Sequence, residues 1–241
     1  MDSQSLAPEQ RVESFLADLN ERIISCTRCP RLRAYCTQVS IRKKPQYRDW
    51  EYWGRPLPGF GDPHARLFIV GLAPAAHGGN RTGRMFTGDS SGDWLVKALH
   101  QTGFANQPLS VSRMDGLRLV DAYITATVRC APPHNRPLPQ EIANCYEYIR
   151  CEFNSLPNIR VMLALGRIAF QTCLKLLRER GVLQKPAFSH GAIYRFGPGI
   201  PILVCSFHPS RQNTQTGRLK WSEWIAVFQN IRRILGSEKP A

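Results

Sequence analysis

Acidic residues are scarce in this chain of 241: 18 Asp and Glu face 32 Lys and Arg, leaving a formal charge of +14. Such an imbalance selects for a polyanionic partner, of which nucleic acid is the commonest. The surplus is not gathered in a tail. It is spread over segments such as 28–33, 81–84 and 211–218, as on a folded basic face. Long apolar runs are missing as well. None approaches the roughly 20 residues that span a bilayer, which excludes a transmembrane helix, and no membrane partner is expected. The opening MDSQSLAPEQ has neither a basic nor an apolar leader region, so a reducing, cytoplasmic location is expected. Internal repeats, low-complexity tracts and convincing linkers are also lacking, and residues 1–241 read as one domain.

What is present alternates between two patterns. Val12, Phe15, Leu16, Leu19, Ile23 and Ile24 recur at helical spacing, predicting an amphipathic helix over 8–25. Residues 40–65, rich in Pro, Gly, Arg and aromatics, read as irregular. Apolar runs at 67–70, 123–128, 161–165 and 202–205 have the look of buried strands. Helical stretches fall between and after them, at about 92–103, 140–155, 167–179 and 221–235. Alternating strands and helices predict an α/β fold with a mostly parallel sheet covered on both faces. Ligands of such sheets bind beyond the carboxyl ends of the strands. Three strand ends carry unusual loops here: GLAPAAHGGN, RCAPPHNRPLP and SFHPSRQNTQTGR.

Eight cysteines stand at 26, 29, 36, 130, 145, 151, 173 and 205. In a reducing compartment well-spaced thiols point to metal or cluster ligation rather than disulfides. Cys26 and Cys29 form a CxxC, Cys130 follows a strand, and Cys145 lies fifteen residues later in a helix. Spacing alone leaves zinc and iron–sulfur equally open, with Cys36 and Cys151 as rival ligands and ordinary reduced thiols as the plain alternative. Cys173 and Cys205 fall in apolar segments, where a thiol behaves as a small hydrophobe.

GLAPA at a strand end, YITATVRCAPPHNRP in the middle and HPS near the end occur in that order, with the CxxC upstream. Together they resemble the family 5 (type b) enzymes of the uracil-DNA glycosylase superfamily, over residues 22 to 235. The resemblance implies a bacterial or archaeal, nucleoid-associated monomer acting on damaged bases in double- and single-stranded DNA. It implies a three-layer α/β/α sandwich around a central four-stranded, mainly parallel sheet. It also implies a [4Fe–4S] cluster on Cys26, Cys29, Cys130 and Cys145, to which the N-terminal helical segment contributes.

Cleaving a base from deoxyribose leaves negative charge on the base and positive charge on the sugar. The superfamily's histidine that faces the base carbonyl corresponds to His208. Its water-activating pair, Gln-Asp, Ile-Asn or Glu-Ala in other members, is replaced here by Leu72-Ala73, neither of which can activate water. Asp89, in FTGD on the same loop, is the expected acid, with capping of the following helix as its competing role. Asn135 is expected either near the water or as a turn residue before Pro137. Ala126 replaces the Asn with which strictly uracil-specific relatives read the base. That loss predicts a broad range including hypoxanthine and modified uracils. Gly71 and Ala73 form the wall that lets a nucleotide approach the backbone, and Phe86 is expected to stack on the base. Ser210, Arg211 and Asn213 open the loop to Arg218 that is expected to enter the duplex. No lysine stands out as a Schiff-base nucleophile, so a monofunctional enzyme is expected. A non-catalytic iron–sulfur DNA-damage-binding protein is the second reading.

Overall fold

The computed structural model describes residues 8–237. Its helices are α1 (Pro8–Ile24), α2 (Pro30–Arg42), α3 (Gly79–Thr82), α4 (Ser90–Gln101), α5 (Pro139–Ser155), α6 (Arg167–Arg178), α7 (Arg211–Gln215) and α8 (Trp221–Ser237). Its strands are β1 (Phe60–Gly61), β2 (Leu67–Gly71), β3 (Ala122–Ala126), β4 (Val161–Leu165), β5 (Ile193–Tyr194) and β6 (Ile202–Ser206). They form one sheet in the order β1-β3-β2-β4-β6-β5.

The inner strands β3, β2, β4 and β6 run parallel and are buried along their whole length. Their continuous apolar character follows from cover on both faces. Leu67 and Ile69 point to one core with Leu95 and Leu99 of α4 and Trp224 and Phe228 of α8. Phe68 and Val70 point to the other, with Phe153 of α5, Phe170 of α6 and Leu16 of α1. The expected sandwich is therefore present. The sheet is wider than the four strands foreseen, because β1 and β5 add antiparallel edges of two residues each. Segments that short carry no readable periodicity.

Three further differences are local. Helix α2 lies where no element was expected, because only Leu32, Cys36 and Val39 of its thirteen residues are buried among several basic ones. Strand β3 stops at Ala126, although Thr127 N and Val128 N still donate to Gly71 O and Leu72 O. The 211–218 segment, expected as an open loop, starts as helix α7 because the Ser210 hydroxyl accepts from Asn213 N.

Chain order and sheet order diverge at β2. Strand β3 lies on one side of it and β4 on the other. Connections therefore leave in opposite directions, opening a crevice at their carboxyl ends. A buried ion pair holds the loop beside it. The Glu152 carboxylate of α5 accepts from Arg129, from Thr125 Oγ1 at 2.6 Å and from Gly59 N at 3.1 Å. Replacing Glu152 by Gln leaves the buried Arg129 cation uncompensated. Denaturant unfolding of that variant should show a loss of about 3 kcal/mol or more.

Candidate active site

The crevice is organised by the chain from Gly71 to Asp89, which leaves β2, turns, forms α3 and returns to α4. Its return end, Asp89, presses on its middle at Gly78. A Cβ there would lie 1.9 Å from Asp89 Oδ2, so only glycine lets the return segment close.

Asp89 is the N-cap of α4, with extended backbone. Its Oδ1 accepts from Ser91 N and Gly92 N, both at 3.0 Å. The expected capping role is thus real, and the helix starts at Ser90 rather than near Gly92. Oδ2 accepts no hydrogen bond from any described residue. Burial pushes the carboxyl above its ordinary range, while the two backbone N–H groups and Arg81 pull it back.

Phe86 has a φ of 50°, a region that costs a non-glycine residue about 1–3 kcal/mol and persists only where neighbours impose it. The imposing neighbours are Arg84 and Thr87. Buried Arg84 donates to Thr87 Oγ1 (3.0 Å), Ser110 Oγ (2.8 Å) and both oxygens of Asp115, while Thr87 and Ser110 share a 2.7 Å bond. Gly92 fits beneath the Phe86 carbonyl, where a Cβ would lie at 2.2 Å. The ring so placed packs on Gly71, where a Cβ would stand 2.9 Å from it. The same ring stacks on His208, with centroids 5.8 Å apart and planes inclined 30°.

His208 follows β6 beside Gly166 at the end of β4. Its carbonyl accepts from Ser210 N and Asn213 Nδ2, each at 2.8 Å. Its ring nitrogens bond to no described residue. Burial lowers the imidazole pKa to about 4, so the ring is neutral at pH 7 and one nitrogen carries a proton to donate. Arg211 Nε reaches Ser90 Oγ at 3.2 Å, tying α7 to the start of α4. Contacts thus bring Gly71, Phe86, Asp89, His208, Ser210, Arg211 and Asn213 together. Ala126, in register with Gly71, is buried in the core against which Phe86 packs.

Two expected site residues stand apart. Asn135 is exposed, at φ 56° in a turn where its N–H donates to Pro132 O; no hydrogen bond joins it to the Phe86–His208 group. Ala73 and its neighbour Ala76 pack on the cysteine cluster. In that cluster Cys29, Cys130 and Cys145 lie with Cys36, whereas Cys26 and Cys151 border an adjoining group with Tyr148. Asn144 Nδ2 approaches Cys29 Sγ at 3.5 Å, and Arg33 Nη1 approaches Cys130 Sγ at 4.0 Å. Burial pushes up the thiols of Cys29 and Cys145, the latter to about 12. Among the described residues no three His, Cys, Asp or Glu side chains converge closely enough to hold a metal ion as they stand. The donor type and the shared location of buried Cys29, Cys130 and Cys145 nevertheless suit a thiolate-ligated group, whose cations would offset the charge of the buried sulfurs, with half-buried Cys26 in the adjoining group. Cys173 and Cys205 lie in the second core, as apolar segments predict.

The residues that sequence reasoning missed are those that shape the loop. Arg81 donates to His77 O and Gly88 O and lies over both Tyr47 (4.0 Å) and Trp50 (4.1 Å). The signal was two arginines, 81 and 84, inside the glycine-rich loop, where a buried cation must have partners.

The family model of the uracil DNA glycosylase superfamily matches residues 58–231. The type-5 uracil-DNA glycosylase of Thermus thermophilus is 48% identical, over 90% of this chain and 96% of that one. The type-5 enzyme of Mycobacterium tuberculosis is 46% identical, over 92% and 83%. The type-4 uracil-DNA glycosylase of Archaeoglobus fulgidus is 26% identical, over 93% and 96%. A match over most of the chain, with this sheet and this crevice, means that the chain belongs to the uracil DNA glycosylase superfamily.

Proposed function

We propose that this protein is a monofunctional DNA glycosylase of base excision repair, acting as a monomer on uracil everted from double- or single-stranded DNA. The observation that carries this reading is the Phe86–His208 stack at the crevice. An aromatic ring on a strained backbone and a neutral imidazole whose nitrogens bond to no described residue form a surface suited to a flat base bearing carbonyl groups.

In this mechanism the everted base lies against Phe86, and His208 donates a hydrogen bond to a base carbonyl. The C1′–N bond breaks with its electron pair passing to the base, whose new charge the imidazole N–H stabilises. Water adds to C1′ and releases its proton. Asp89 Oδ2 orients that water and stabilises the sugar cation, while Oδ1 remains the helix cap. A carboxyl raised by burial is better matched to accepting a proton near neutrality. Asn135 would serve the water only if its turn moves inward on DNA binding.

Base choice follows from Ala126. With no amide at this position, no buried polar group is left unpaired by a base other than uracil. Hypoxanthine and modified uracils are accordingly included among the substrates. Ser210 and Asn213 hold His208, and the segment from Arg211 to Arg218 meets the duplex; Arg218 lies over Phe207, next to His208, at 4.6 Å.

Cys26, Cys29, Cys130 and Cys145 would hold a [4Fe–4S] cluster, whose part is structural rather than reactive. Support comes from three of these sulfurs sharing one buried cluster and from the N–H donors aimed at two of them. The residues before 60 would thereby belong to the same domain as the sandwich. Among the described residues no helix is long and apolar enough to cross a membrane.

Single-turnover base release from uracil-containing duplex, read after alkaline cleavage of abasic sites, tests the activity. Binding without release would sink it in favour of a non-catalytic damage-binding protein. Asp89→Asn separates the two duties of that residue, because Asn is an equally good cap. Its stability should change by less than about 0.5 kcal/mol, while its rate should fall about 10²-fold or more. An unchanged rate would leave Asp89 as a cap alone.

His208 gives a prediction in pH. With its pKa moved from 6.5 to about 4, the folded protein binds fewer protons than the unfolded chain between those values. Stability should therefore fall as pH drops from 6.5 toward 4. His208→Gln should flatten that slope in denaturant titrations and lower the rate about 10²-fold. Purified protein should also carry iron and absorb near ~400 nm; a colourless preparation containing zinc would overturn the cluster assignment.

A further inference from the structure

Outside the crevice, two arginines converge on one ring. The guanidinium of Arg55 lies 5.7 Å from the centroid of Trp53, and that of Arg113 lies 4.7 Å from it. Both side chains are exposed, and neither has a carboxylate partner among the described residues. Asp115, two residues from Arg113, is already engaged by Arg84. Arg48 and Asp49, nearby in the chain, pair with each other at 3.9 Å, leaving exposed Glu51 as the acid of that segment without an ion pair.

The ring beneath them is firmly placed. Trp53 Nε1 donates to Pro56 O, Trp53 N to Arg81 O and Gly54 N to Asn80 O. Its body packs on the main core and on Gly83, where a Cβ would meet the indole at 3.1 Å and the Arg113 side chain at 3.2 Å. Gly83 is three residues before Phe86. Arg113 is carried by the 110–115 loop, whose Ser110 and Asp115 fix the Phe86 turn. Both arginines therefore ride on the elements that position the base-stacking residue.

Gathering two like charges at one indole costs repulsion, and fixing each long side chain costs rotamer entropy. An anion bridging the two guanidiniums offsets the repulsion, and side chains already held on the indole lose less rotamer freedom on binding it. Planar N–H forks match a phosphate in particular. We propose that Arg55 and Arg113, carried on Trp53, clamp a backbone phosphate of the DNA strand next to the everted nucleotide. This rests on the glycosylase reading for its choice of DNA, and it assigns segment 53–56 and Arg113 a positioning role.

The test is the salt dependence of binding to a duplex carrying a stable abasic analogue, followed by fluorescence anisotropy. Removing one phosphate contact lowers the slope of log K against log salt by about 0.9. The Arg55→Gln/Arg113→Gln double variant should show that loss, and each single variant a part of it, because both guanidiniums share one phosphate. In each variant the protein concentration that gives half the maximal single-turnover rate on uracil duplex should rise by a larger factor than the rate at saturation falls. Arg→Lys at both positions, keeping the charge, should restore the slope. Arg178→Gln, at the far end of α6 from the crevice, should leave it unchanged. A double variant with wild-type slope overturns the clamp, as does an equal loss in Arg178→Gln. A wild-type protein that binds with the predicted slopes but releases no base overturns the glycosylase reading and supports the clamp.

Discussion

The crevice depends on how closely Phe86 approaches the backbone of β2. The ring lies where any side chain at position 71 would stand, so the end of the strand must be glycine and the ring must hold its place. Holding it requires a left-handed turn at a bulky residue. That strain is offset by a buried network in which Arg84, Thr87, Ser110 and Asp115 satisfy one another. The imidazole of His208 then has a partner to stack on and, among the described residues, no group to hydrogen-bond with, and burial keeps it neutral. Aromatic wall, neutral donor and closing carboxylate thus follow from one close approach, made possible by Gly71, Gly78 and Gly92.

The same loop has a second side. While Phe86 faces His208, Ala73 and Ala76 face the cysteine cluster. Arg33 of α2 bridges these regions, reaching Cys130 Sγ and donating to Gly54 O. The stretch after α2 in turn hydrogen-bonds to α3 through Trp53 and Gly54. The cysteine cluster therefore supports the outer wall of the crevice by packing. Its distance from the chemistry does not make it incidental to the shape of the pocket.

Much of this was legible in the sequence, and the rest was hidden for identifiable reasons. The four inner strands announce themselves because burial on both faces makes them wholly apolar. Gly71, Phe86, Asp89 and His208 were readable from the loops that follow such strands, and the structure brings them together. Helix α2 was not readable, since its buried stripe is three residues wide in a basic sequence. Nor was the Arg84–Asp115 pair, which joins positions 31 residues apart and depends on tertiary closure. Ala73 was expected in the substrate wall because it sits in the tight turn, and it packs on the cysteine cluster. Asn135 shows the converse: the rule that Asn favours left-handed turns before proline described its backbone correctly.

Asp89 has a consequence beyond its two oxygens. Its carboxylate sits at the positive end of the α4 dipole, which favours the anion by about 0.3–1 kcal/mol in such positions, whereas burial favours the neutral acid. Protonation would remove charge from the point where the helix begins and weaken the bonds to Ser91 N and Gly92 N. The first turn of α4 is therefore mechanically linked to the charge state of the crevice. Trp224 of α8 donates to the Trp94 carbonyl in that same helix, so the element capped by Asp89 is also the one that ties the crevice to the outer layer of the sandwich.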